Sequence, residues 1–85
     1  MGRAPSLVRR TKTESDNAVL RQFGERVRML RGDRPQRSLL RFDAVAISRY
    51  ESGRVDPSLT QLVRLAEDLG CTVEELLTGI RPLVP

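Results

Sequence analysis

The 85-residue chain has no histidine, a single cysteine, three aromatic residues and only one lysine among its 15 basic side chains. Each shortage removes a class of chemistry. Without histidine no imidazole can serve a nucleophile as general base, and Cys71 alone cannot assemble a zinc site, so metal binding is set aside. One cysteine also excludes an intrachain disulfide, which favours an intracellular protein, and its place between Gly70 and Thr72 suits a small buried hydrophobe. A glycine-rich phosphate loop is missing. The neighbouring acids Glu67 with Asp68, and Glu74 with Glu75, read as solvated helix faces and cap partners instead of a catalytic pair. Long apolar runs are missing too: Leu7 and Val8 are followed at once by Arg9 and Arg10, so neither a signal peptide nor a membrane span is expected, and the expected location is the cytoplasm. What remains is a binding protein without cofactor, not an enzyme. A chain this size builds one domain around one modest core, burying roughly 60% of the surface its unfolded form exposes.

What the chain does have is arginine, unevenly placed. Residues 1–54 carry 13 Lys/Arg against 6 Asp/Glu, whereas residues 55–85 carry 2 against 5. A polyanion is the natural partner of the cationic half, because each neutralised phosphate releases condensed counterion. Fourteen of the 15 bases are Arg, which suits bidentate contacts to phosphate and guanine. A solvated basic surface, or the codon bias of a GC-rich genome, would leave the same composition.

The local pattern is helical throughout. Residues 1–14 have few apolar side chains and carry Arg3, Arg9, Arg10 and Lys12, as a flexible basic arm would. Ser15 or Asp16 can cap a first helix with the stripe Val19, Phe23, Val27 and Leu30, while Arg21, Glu25 and Arg28 occupy other faces and Gly32, Asp33 and Pro35 break it. Residues 36–42 allow a helix of about two turns with Leu39, Leu40 and Phe42 inward. Asp43 then caps a third helix ending at Ser52 with Gly53 as its stop; Ile47 and Tyr50 face inward, leaving Ala44, Val45, Ser48 and Arg49 to share an outer surface. Gly53 to Pro57 is a connection. Ser58 with Gln61, and Thr72 with Glu75, are spaced as capping boxes and open two further helices. The first of these carries Leu59, Leu62, Leu65, Ala66 and Leu69 and stops at Gly70; the second carries Val73, Leu76 and Leu77 and closes at Gly79. The sequence thus divides into an arm at 1–14, an all-α domain at 15–79 and a short apolar tail at 80–85.

Two blocks carry a family resemblance: FGERVRMLR at residues 23–31, and ISRYESG with PSLTQLVRLAEDLGCTVEELLTG at 47–79. Together they resemble the lambda-repressor-like helix-turn-helix family, which includes phage repressors, Cro-type proteins and many bacterial regulators and antitoxins. The resemblance implies a compact bundle of five helices whose third lies in the DNA major groove. By position it implies base contacts from Ala44, Val45, Ser48 and Arg49, and phosphate contacts from Gln36, Arg37, Ser38 and Arg54. It also implies an internal salt bridge between Arg31 and Glu51. The chain departs from the family pattern between Arg31 and Ile47, where it is about five residues shorter, lacks the glycine that opens the turn, and has Leu40 where a small alanine is usual. Either the second helix is reduced to two turns with Phe42 and Asp43 as turn and cap, or the recognition helix is displaced.

The function these features imply is a sequence-specific DNA-binding transcriptional regulator of a bacterium or phage, acting on the nucleoid as a repressor. It would bind double-stranded DNA at a two-fold symmetric operator as a homodimer. The tail residues Ile80, Leu83 and Val84 either pack across that dimer or fold back on their own domain. A protein-interaction module on the same fold, or an antitoxin, is the alternative, and a regulatory protein partner would suit either.

Overall fold

The computed structural model describes residues 13–36, 39 and 42–82. Among them are four α-helices and no strand: α1 (Glu14–Arg31), α2 (Ala44–Glu51), α3 (Leu59–Leu69) and α4 (Val73–Leu76). The fold is all-α, and among the described residues four of the five expected helices are present. The difference lies at residues 36–42, where the sequence predicts a short helix and where Arg37, Ser38, Leu40 and Arg41 fall outside the described residues. The helix in the position of the expected recognition helix is therefore α2.

The cap of α1 is Thr13, not Ser15 or Asp16. Thr13 Oγ1 accepts from the Asp16 N–H at 3.0 Å, and the Thr13 N–H donates back to Asp16 Oδ2 at 3.0 Å. A cap at 15 or 16 would have Ala18 or Val19 three residues on, neither able to return the bond, so the reciprocal box selects Thr13. Glu14 and Asp16 also sit at the positive end of the helix dipole. Residues 1–12 of the expected arm lie outside the described residues. Ser58 with Gln61 and Thr72 with Glu75 make the same two-way boxes at the starts of α3 and α4. Asp43 caps α2 by accepting from the Ala46 N–H at 2.8 Å, and Phe42 forms the bend before it. At the other end of α2 the Gly53 N–H reaches the Tyr50 carbonyl and the Arg54 N–H the Arg49 carbonyl, closing the helix with Gly53 at φ +75°.

The core joins Phe23 and Val27 of α1, Leu39 between α1 and α2, Ile47 and Tyr50 of α2, Leu65, Ala66 and Leu69 of α3, and Leu76 of α4. All three aromatic rings of the chain meet here: Phe23 and Phe42 each pack edge-on against Tyr50, at 6.1 and 5.7 Å between centroids. Such edge-to-face pairs add about 0.5–1.5 kcal/mol each beyond area burial. Gly24 explains how closely α1 and α2 pack. A Cβ there would lie 2.4 Å from the Glu51 carbonyl oxygen and 2.6 Å from that of Tyr50, so only glycine allows the two backbones to touch.

Two expectations are corrected by burial. Leu59, read as part of the inward stripe of α3, is 73% exposed, because the buried face is centred on Leu65, Ala66 and Leu69 and the first turn projects past it. Leu77 likewise faces outward, as the C-cap of α4 and not a member of its apolar stripe. On α1, Val19 and Leu30 are only half-buried, while Ala18, Leu20 and Gly24 join Phe23 and Val27 inside. The C-terminal segment returns to α1: the Gln22 amide donates to the Arg81 carbonyl at 2.8 Å and accepts from the Arg81 N–H at 3.0 Å, which seats Ile80 against the core of its own domain. Leu83 and Val84 lie outside the described residues.

Candidate nucleic-acid interface

An eight-residue helix with Ile47, Tyr50 and Glu51 turned inward has one face left, and α2 places Ala44, Val45, Ser48 and Arg49 on it. Val45 is 60% exposed, an apolar side chain held in solvent; Ser48 and Arg49 are exposed and Ala44 half-buried. Together with Gln36, Ser52 and Arg54 these residues line an open concave surface of about 580 Å³. The surface brings together six of the eight side chains the sequence assigns to DNA. The other two, Arg37 and Ser38, lie outside the described residues. Ser52 is the member sequence reasoning missed; its position one turn beyond Ser48 was the available signal.

Behind this surface is the one buried charged side chain among the described residues, Glu51, whose side chain is 1% exposed. Arg31 grips it with both edges of its fork, Nε to Oε2 at 2.6 Å and Nη2 to Oε1 at 2.9 Å. The Gln36 amide donates to Oε1 at 3.0 Å, and Arg28 Nε stands 3.6 Å from the same oxygen. Burial alone would raise the Glu51 carboxyl, but the hydrogen bonds from Arg31 and Gln36 and the charges of Arg31 and Arg28 outweigh it and hold the group below its ordinary range. The bond to Glu51 in turn raises Arg31 further. The Gln36 side chain thus has a structural duty: it ties the segment after α1 to the base of α2 while lining the concave surface.

Six of the described arginines divide into two groups. Arg26 donates to the Glu75 carbonyl, and Arg28 and Arg31 meet Glu51. Arg34 closes the C-terminal ends of two helices, reaching Leu30 and Arg31 of α1 and Leu69 of α3. Arg49 and Arg54, on the concave surface, make no side-chain hydrogen bond or ion pair among the described residues. Their charge is uncommitted among the described residues. Cys71 takes no part: burial and the Glu75 charge push its thiol up, against the smaller opposing pull of Arg26 and Arg34.

A helix-turn-helix family model matches residues 40–76. Among solved structures the chain is similar to the restriction-modification controller protein C.AhdI from Aeromonas hydrophila, with 28% identity and a TM-score of 0.63 over 74% of this chain and 99% of that one. It is also similar to the DNA-binding domain of BldD, with 29% identity and a TM-score of 0.57 over 76% of this chain and 99% of that one. Sequence comparison with curated proteins finds no match. Residues 40–76 of this chain are thus similar to the helix-turn-helix family, and the chain is similar in fold to these two structures.

Proposed function

We propose that this protein regulates transcription by binding duplex DNA, and that it does so as a repressor occupying a two-fold symmetric operator as a dimer, with α2 in the major groove. The observation that carries this reading is the outer face of α2. Val45 can meet a thymine methyl group, Ser48 a base edge and Arg49 the O6 and N7 of guanine. Arg54, just past the helix, supplies a phosphate contact, with Gln36 on the same surface, and Arg37 and Ser38, next to Gln36 in sequence, add to these contacts. Its relatives in structure support the reading: one is by its description a controller of restriction and modification, the other a DNA-binding domain.

Dimerisation is supported by an apolar groove of about 300 Å³ on the side lined by Val19, Leu20, Phe23, Leu62, Leu77 and Ile80. A second copy covering this groove would give the half-site spacing that one short helix lacks. The same groove favours the second reading, a protein-interaction module, over catalysis.

The test is a selection from random duplex DNA at low and near-physiological salt. Enrichment of a two-fold symmetric motif with half-sites about one helical turn apart is expected. Salt-sensitive binding without a motif would reduce the protein to a non-specific DNA binder, and no binding at either salt would favour the interaction module.

A further inference from the structure

α1 is the scaffold helix of the domain, and its arginines are almost all committed to it: Arg26, Arg28 and Arg31 each have a partner inside the fold. Arg21 does not. It is exposed, and it makes no hydrogen bond or ion pair among the described residues even though Glu25 stands four residues on, where a helix normally brings opposite charges together. Its position is unusual for a scaffold residue. A Cβ on Gly53 would meet the Arg21 backbone at 3.1 Å and its Cγ at 3.2 Å, so the stem of the arginine starts against the turn that ends α2. The next residue after that turn is Arg54, which lines the concave surface.

We infer that Arg21 is a phosphate-contacting residue that extends the DNA-binding surface from the end of α2 onto α1, acting beside Arg54 on the same stretch of backbone. This rests on the DNA-binding reading above. The physical case is that a guanidinium without a partner among the described residues is anchored at its stem against Gly53, and that the next residue in sequence, Arg54, carries a second such guanidinium, so the two can act as a two-pronged cationic edge. Neither prong has to break an internal bond to reach a phosphate. The positive φ of Gly53, with no side chain to separate the two strands of backbone, is what lets the turn carrying Arg54 approach the Arg21 backbone. Such a contact positions the protein and carries no base preference.

Arg64 on α3 provides an internal control, since it is also exposed and without a hydrogen bond or ion pair among the described residues but, unlike Arg21, is not among the nearest atoms packed against Gly53. Duplex binding by the full chain would be measured across a salt series for the unaltered protein, Arg21→Ala, Arg21→Lys and Arg64→Ala. For Arg21→Ala the plot of log affinity against log salt should become shallower by about 0.9 per protomer, with preferred and random duplexes weakened by the same factor. Arg21→Lys should restore the slope, and Arg64→Ala should leave it unchanged. A slope for Arg21→Ala equal to that of Arg64→Ala overturns the inference while leaving the DNA-binding reading intact. Failure of the unaltered protein to bind duplex DNA overturns both.

Discussion

On its inner side α2 carries Ile47, Tyr50 and Glu51, all buried, with two aromatic rings edge-on to Tyr50 and an arginine fork closed on Glu51. On its outer side Val45, Ser48 and Arg49 are exposed to solvent, and the Arg49 side chain makes no hydrogen bond or ion pair among the described residues. The contrast within one eight-residue helix shows how a small domain holds a reading surface still. Each inner contact fixes the helix by backbone packing or by a bidentate bond, so the outer side chains need no bonds of their own and stay available to a ligand. Stability and recognition are thereby assigned to opposite faces. Substitutions should separate them.

The largest effect is expected at Glu51. Glu51→Ala strands the Arg31 guanidinium and removes the acceptor of Gln36, and should cost about 3–5 kcal/mol in denaturant unfolding. A loss below about 1 kcal/mol would mean that solvent replaces the carboxylate freely. The sign of the pH dependence follows from the same group. A carboxyl held below its ordinary value contributes stability that is fully present above the unfolded pKa of about 4.3 and is lost as pH falls through the lower, folded value. Unfolding followed from pH 6 down to about pH 2 should therefore show an acid limb that Glu51→Gln flattens.

Gly24→Ala comes next. The added methyl group meets carbonyl oxygens of Tyr50 and Glu51 and not a movable side chain, so the helices must part, at a cost toward the upper end of roughly 1–3 kcal/mol. Unchanged thermal stability would show that α1 and α2 cross less closely than described. Thr13→Ala should lose about 1 kcal/mol by removing one half of the box that starts α1. Smallest of all, Val45→Ala and Leu59→Ser should leave stability within about 0.5 kcal/mol, since both side chains already lie in solvent. A large loss for Leu59→Ser in the monomer would return that residue to the core.

The features that could be read from the sequence are those whose partners lie within one helical turn. Ser58 with Gln61, Thr72 with Glu75 and the Asp43 cap depend on three-residue spacing, and the inward stripe of α3 from Leu62 to Leu69 depends on helical period. The grouping of Ala44, Val45, Ser48 and Arg49 on one face follows from the same period. Features that depend on what lies opposite were not legible. Gly24 looks like a weak point in a helix until the carbonyls of α2 are placed against it, and Arg34 shows its role only once Leu69 stands beside Leu30. Leu59 fits the stripe by spacing, but among the described residues no element covers it, and it is exposed. Arg21 was placed on an outer face correctly, yet nothing in the sequence sets it against Gly53, 32 positions away.

The most direct test of the division between faces compares Arg49→Ala with Arg54→Ala on the selected operator and on operators altered at single positions. Both variants should keep the unfolding midpoint of the unaltered protein. Arg49→Ala should relax preference at one base pair, with a loss of roughly 1–3 kcal/mol confined to the preferred sequence, whereas Arg54→Ala should weaken every sequence about equally. Equal, sequence-independent losses from both substitutions would contradict the assignment of the outer face of α2 to base reading.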